Sequence, residues 1–342
     1  MGRQPSLGAD PDARAGHPLL PRREERARRR AAALSGEPIV SVGLPVRNGQ
    51  RFLRQALASL LSQTFTEFEL IVSDNASTDE TAEIVQEAAS SDPRVCYHRN
   101  GVDIGAAANF NRALQLARGD LFMWAAGDDM WHPGFIGSMV SLLRESPAAV
   151  LAFCDFDNID ASGRPVREYP HLVELEASDL FPRLTNYLGQ PEAWGKANLI
   201  YGLMRRQAIL EAGGLTTWSP HGWGQDMLVV FRLLSLGELR LARNRMFHKR
   251  LAPPPAPAGR GTLWSRLAKR RESLRGWRGY FEGYQRLIDM AEGLTDSQRA
   301  ALRALARGRY VEIRRSDLAA LRQEARRKIL RIVRGSAPRL AP

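Results

Sequence analysis

The sequence predicts an α/β protein, a mainly parallel sheet flanked by helices, with a helical basic C-terminal extension. Three observations carry that expectation. Short β-branched apolar runs alternate with helical patterns of about 10–15 residues, the arrangement that builds parallel sheets covered on both faces. Of the 342 residues, 44% are apolar and 25% charged, which suits a chain that buries a core and excludes a disordered, collagen-like or disulfide-stapled one. The basic excess, a formal net charge of +12, belongs almost wholly to the last ninety residues, where 21 basic side chains meet 8 acidic ones.

In chain order, Ile39 to Leu44 is a β-branched run ended by Pro45, Asn48-Gly49 is a turn, and Phe52, Leu53, Ala56, Leu57, Leu60 and Leu61 mark one face of a helix. The unit repeats. Phe68 to Val72 reads as a strand, Asp74 to Thr78 as a polar loop, and Asp79 to Ala89 as a helix opened by Thr78 as N-cap. A third strand is expected at Val95 to His98, with a helix over Ala106 to Ala117. A fourth, Leu121 to Ala125, leads through Gly127-Asp128-Asp129 to a helix near Pro133, and Val150 to Cys154 is a fifth strand. Ligands of such sheets bind at the carboxyl ends of the strands, so the polar loops after Leu44, Val72 and Ala125 are expected to converge.

Composition shifts divide the chain into a disordered basic arm over 1–37, a compact domain over 38–252, a proline-rich linker over 253–261 and a basic helical region over 262–342. Cys96 and Cys154 both fall in strands and read as small buried hydrophobes, as in a reducing compartment. No apolar run approaches the roughly 18 residues of a membrane span, and residues 1–20 lack a signal-peptide core, so the expected location is cytoplasmic, with any membrane contact peripheral. Leu318, Leu321, Ala325, Ile329 and Ile332 recur at helical spacing among arginines, so residues 317–334 are an amphipathic helix suited either to an anionic membrane surface or to packing on the domain.

The chemistry-bearing residues lie in the strand-end loops. Neither G-x-G-x-x-G nor G-x-x-x-x-G-K-[ST] occurs, which removes the dinucleotide and P-loop readings. The adjacent Asp128 and Asp129 suit a hard divalent cation, which needs one or two protein carboxylates when phosphates supply the rest; capping of the following helix is the competing reading. Asp226, after Gln225 at the head of the apolar pattern Met227 to Leu236, reads as an ordinary first-turn acid. Trp194, Trp218 and Trp223 suit core packing.

Together, Val40 to Gly49, Leu60 to Thr64, Asp74 to Thr81, Asn109 to Leu114, Ala117 to Asp120 and Gly127-Asp128-Asp129 with Trp131-His132-Pro133 resemble, in order and spacing, the signature of the family 2 glycosyltransferases. The resemblance covers about Pro38 to Leu251 and implies a GT-A fold and an inverting, metal-dependent glycosyltransferase of the hexosyltransferase type, acting in cell-surface polysaccharide or glycolipid synthesis. The implied partners are a nucleoside-diphosphate-sugar donor, first among them a UDP-sugar, a glycan or lipid-linked acceptor, and Mg²⁺ or Mn²⁺. By the same resemblance Pro45, Arg47, Asn48, Asp74, Asn109, Gly127 and Asp129 line the donor, Asp128 and His248 hold the metal, and Asp226 is the catalytic base. Ala126 stands where the metal motif has its first Asp, and Gln225 where the family has Glu. A non-catalytic nucleotide-sugar binder and a nucleotidyltransferase are the alternatives. Nucleic acid is a poor fit as partner, because the basic segment is not the one that bears the motifs.

Overall fold

The computed structural model describes residues 38–169, 172, 175–216, 223–251 and 263–335, with side chains in the last stretch described from 272 to 316. The predicted arm over 1–37, the linker over 253–261 and the side chains of 317–334 lie outside the described residues, as does Trp218.

The first half follows the expected alternation: β1 (Val40–Val46), α1 (Leu53–Leu61), β2 (Phe68–Asp74), α2 (Thr81–Ser91), β3 (Val95–Arg99), α3 (Ala106–Leu116) and β4 (Leu121–Trp124). β1 pairs in parallel with both β2 and β4, and β2 with β3, so the four strands lie in the order β3-β2-β1-β4 with their carboxyl ends together. The short β5 (Met130–Trp131), α4 (Phe135–Glu145), β6 (Ala149–Ile159), β7 (Pro165–Glu168), α5 (Leu180–Gly189), β8 (Leu203–Arg205), α6 (Arg206–Glu211), α7 (Gln225–Leu236) and β9 (Glu238–Arg250) complete the domain. β8 runs antiparallel between β4 and β6, β6 runs parallel with β9, and β5 and β7 add antiparallel edges to β9 and β6. β1, β2, β3, β4, β6 and β9 therefore point one way. Two long helices, α8 (Leu263–Met290) and α9 (Asp296–Gly335), follow, and they pack on α7 and α5 respectively.

Several boundaries differ from the sequence expectation for physical reasons. Pro45 continues β1 instead of ending it. The Gly43 carbonyl accepts the Ala125 N–H, so odd-numbered residues of β1 face β4, and β4 pairing stops at Gly43; the amide hydrogen that proline lacks would have had no strand partner there. β6 runs to Ile159 because its second half finds β7 and β9 as partners. α2 begins at Thr81, and Asp79, not Thr78, accepts from its first turn, taking bonds from the Thr81 N–H at 3.1 Å and the Thr81 hydroxyl at 2.5 Å. His248 lies inside β9.

The core behind the site is aromatic. Phe153 is fully buried among the rings of Phe135, Phe156 and Phe247, with centroids 5.6–6.4 Å apart. Phe153→Ala leaves a ring-sized void, so a loss of about 3–5 kcal/mol is expected, read as a lower urea midpoint at unchanged slope.

Candidate active site

The loop after β1 and the loop after β2 are zipped together by side chain to backbone bonds. The Asn48 N–H donates to Ser77 Oγ at 2.9 Å and the Gly49 N–H to Thr81 Oγ1 at 2.8 Å, while Asn48 Oδ1 accepts the Thr78 N–H at 2.8 Å. Asn48 and Ala76 both hold left-handed backbone, with φ of 52° and 55°. Asparagine tolerates that region; alanine is strained there, and such strain persists where surrounding bonds over-determine a loop.

Below this zipper lies a buried polar network. Asp74 is fully buried: its Oδ1 accepts the Ser77 N–H at 2.9 Å, and its Oδ2 accepts the Tyr97 hydroxyl at 2.8 Å and an Arg99 guanidinium N–H at 3.0 Å. Asn109 is also buried, donating to the Ser73 carbonyl and accepting from Ser73 Oγ and Asn100 Nδ2. Its amide is spent inside the fold, which shapes the loop from beneath. Arg47 is exposed and pairs with Asp103 at 2.7 Å. Pro45 and Gly127 line the neighbouring ends of β1 and the loop after β4.

The Asp pair is split by its surroundings. Asp129 is fully buried and both its oxygens are used: Oδ2 takes Lys249 Nζ and Oδ1 the Arg250 N–H, each at 2.9 Å. It does not cap α4, because β5 intervenes. Burial pushes its carboxyl up to about 6 against the pull of Lys249. Burial works against the Lys249 ammonium too, but Tyr201, Asp129 and Asp128 outweigh it and hold Lys249 above the ordinary lysine range. Arg250 ties the corner down, donating to the Asp128 and Asp160 carbonyls and to Gln55 Oε1 at 2.7–2.8 Å. By contrast, the half-buried Asp128 carboxylate takes no hydrogen bond from the described residues.

A raised acid stabilises the fold only while protonated. The folded protein holds the Asp129 proton that the unfolded chain has lost, so this contribution fades as the pH rises from about 4 to about 6. Relative to Asp129→Asn, the wild type is expected to lose on the order of 2–3 kcal/mol over that window, measured by urea unfolding at each pH.

His248 Nδ1 faces Asp157 Oδ1 at 2.8 Å, and in register it lies opposite Met130, close to the Asp pair along the chain. A carboxylate behind the ring is how ligating histidines are oriented, and it leaves Nε2 as the outward nitrogen. Among the described residues no three His, Cys, Asp or Glu side chains form a preformed metal cage. The donor set is a sparse one that fits a hard divalent ion completing its shell from phosphates and water.

Asp226 opens α7, with its Oδ1 accepting the Met227 N–H at 2.8 Å. Burial raises its pKa above the ordinary carboxylate value, with Lys249 acting the other way. Burial also raises the Tyr201 hydroxyl, which feels Lys249, Asp129, Asp226 and Asp128 together, so the three acids share one neighbourhood around Lys249. Of the tryptophans, Trp194 and Trp223 are 46% and 41% exposed. Sequence pattern alone does not single out Lys249, Arg250, Tyr201 or Asp157. A Lys and an Arg directly after a strand histidine give no local signal, since the acid they serve lies 120 residues before Lys249.

Residues 41–200 match the family model described as glycosyl transferase family 2. An uncharacterized protein of Mycobacterium tuberculosis is 31% identical over 189 residues, 53% of this chain and 58% of that protein. An uncharacterized glycosyltransferase of Rickettsia typhi is 31% identical over 125 residues, 36% of this chain and 38% of its own. The O-antigen biosynthesis protein RfbC of Myxococcus xanthus is 26% identical over 211 residues, 61% of this chain and 16% of that protein. The matches span less than two thirds of each relative's length. Among solved structures, S. aureus TarS 1–349 in complex with UDP superposes with a TM-score of 0.58 at 16% identity, covering 80% of this chain and 72% of that one, which establishes the GT-A fold.

Proposed function

From the match of residues 41–200 to the glycosyl transferase family 2 model, we propose that the chain is a member of that family and moves a sugar from a nucleoside-diphosphate donor to an acceptor hydroxyl with inversion, in cell-surface polysaccharide or glycolipid synthesis. The observation that carries the reading is the pairing of a carboxylate at Asp128 that takes no hydrogen bond from the described residues with a carboxylate raised by burial at Asp226, around one Lys249. The zipped loops over 45–49 and 73–79 form the shelf for the nucleoside, with Asp74 and Arg99 beneath it. TarS is described with UDP and with UDP-GlcNAc, which supports a UDP-sugar as the first donor to try.

In the proposed step Asp226 takes the acceptor hydroxyl proton, the acceptor oxygen bonds to the anomeric carbon, and the bond from that carbon to the diphosphate oxygen breaks. The pair of electrons leaves with the nucleoside diphosphate, so one displacement inverts the centre. Mg²⁺ or Mn²⁺, held by Asp128 with His248 as the second protein ligand, would supply charge neutralisation at the leaving diphosphate. Lys249 keeps Asp129 neutralised, so that this second acid does not repel the donor.

Incubation of the full chain with UDP-, GDP- and dTDP-sugars in Mg²⁺ or Mn²⁺ tests the reading. Release of nucleoside diphosphate is expected. Release of pyrophosphate would make it a nucleotidyltransferase, and tight binding without turnover a sugar-nucleotide binder. We further propose that residues 317–334 hold the enzyme at an anionic membrane surface; no helix among the described residues is long and apolar enough to cross a membrane. Flotation with phosphatidylglycerol vesicles is the check, and equal flotation of a chain ending at Ser316 would refute it.

A further inference from the structure

The turn that delivers Asp226 is not held by the glycosyltransferase domain alone. Gly224 precedes α7 in left-handed backbone, φ 69°, and a Cβ there would lie 2.5 Å from Cδ2 of Tyr280 on α8. The tyrosine ring therefore occupies the space that a side chain at 224 would fill. Next to it, Trp223 packs at a tilt on Trp277 with 4.0 Å between centroids, and a Cβ on Gly276 would meet Trp223 at 3.4 Å. Further along α8, a Cβ on Gly283 would come within 2.6 Å of Leu228, so the helix stays in close approach from Trp223 to Leu228. The hydroxyl of Tyr280 reaches Met227 Sδ at 3.4 Å and shares a 2.8 Å bond with Tyr284, whose ring meets Phe231 edge-on. From the other side the Tyr187 hydroxyl donates to the Met227 carbonyl at 3.0 Å. Tyr187, Tyr280 and Tyr284 are all fully buried.

We infer that α8 is a working part of the active site: Trp277, Tyr280 and Tyr284 are positioning residues that clamp the Trp223–Met227 turn and so fix the direction in which Asp226 presents its carboxylate. The inference rests on the reading of Asp226 as the base. It also assigns a role to a segment that composition marks only as part of a basic tail. The clamp is fastened to the domain a second time, since Arg309 on α9 pairs with Glu192 at 2.7 Å and Glu192 in turn with the buried Lys196 at 3.1 Å.

A general base works only within hydrogen-bond reach of its proton, so small rotations of this turn cost rate without costing donor affinity. The test uses the full chain, following nucleoside diphosphate release from the donor and, separately, nucleoside diphosphate binding by calorimetry. Tyr280→Leu is expected to lower kcat at least tenfold with the nucleotide Kd within threefold, and Tyr280→Phe, which keeps the ring, to restore kcat to within threefold of wild type. Loosening the clamp admits water to Asp226, so the acidic limb of the kcat profile is expected to move to lower pH. The groups that face Asp226 are Lys249, Tyr201, Tyr187 and Tyr284, and none of them is changed in that variant. If Tyr280→Leu does not fold, Trp277→Ala is read in the same two assays. Unchanged kcat, or parallel loss of kcat and nucleotide binding, would overturn the inference. Full activity of Asp226→Asn would instead refute the base reading on which it stands.

Discussion

Asp226→Asn is expected to lower sugar transfer by about 10²- to 10⁴-fold, the worth of a positioned general base, while nucleoside diphosphate binding stays within about twofold. The substitution is nearly isosteric, and the amide oxygen can still accept the Met227 N–H that the carboxylate accepts now, so the head of α7 keeps its bond. What is lost is the capacity to receive a proton. The wild-type rate is expected to fall as the pH drops through the Asp226 pKa, which burial holds above the ordinary carboxylate range, and the residual rate of the variant is expected to be flat there. Full transfer by Asp226→Asn, alongside loss of transfer in Asp128→Ala, would make Asp226 an ordinary first-turn residue and leave the donor-side assignment standing.

The division between what the sequence reveals and what it hides follows contact range. Strand, loop and helix up to β4 are legible because each unit is written in consecutive residues: β-branched runs, the Asn48-Gly49 turn, and polar loops beginning at strand ends. Their convergence then follows from parallel topology, and the Asn48 to Ser77 and Asn48 to Thr78 bonds are its consequence. β8 is not legible, because three residues inserted antiparallel between β4 and β6 carry no period of their own. Nor is the fate of the Asp pair. Two identical neighbouring side chains differ because a strand 120 residues later gives hydrogen bonds from Lys249 and Arg250 to one carboxylate and not to the other. The apolar stripe with Trp277, Tyr280 and Phe281 is visible in the sequence, but its partner, the turn before Asp226, is not.

The same long-range contacts sharpen what the charge of the C-terminal region does. In the described part, several of its arginines are committed within the fold: Arg309 to Glu192, Arg303 to Asp289, and Arg299 to the carbonyls of Ile288 and Asp289 at the end of α8. These charges fasten helices and cannot also serve a polyanion. The later arginines of the sequence, Arg322 to Arg334, add to the exposed Arg275, Arg286, Arg307, Arg314 and Arg315 of the described part. The flotation comparison removes only the residues after Ser316 and spares the clamp on α7.

Lys249→Ala is expected to destabilise the fold by about 3–5 kcal/mol at pH 8, the scale for removing one partner of a buried ion pair. Asp129 is fully buried, and the variant takes the ammonium from its Oδ2 and leaves only the Arg250 N–H on Oδ1. Burial already pushes this carboxyl up to about 6, and without Lys249 it rises further. The cost is therefore expected to be small at pH 5, where a protonated Asp129 needs no counter-charge, and to reach its full size only when the pH compels the buried acid to ionise. Urea unfolding of wild type and variant at pH 5 and pH 8 measures the difference, and the double variant with Asp129→Asn is expected to recover much of the loss at pH 8. An equal loss at both pH values would mean that Lys249 acts by packing over the Tyr201 ring, 4.8 Å from its centroid, and not by charge. In that case the neutralisation of Asp129 would fall to Arg250 and the backbone, and the corner beside Asp128 would keep its shape without a lysine.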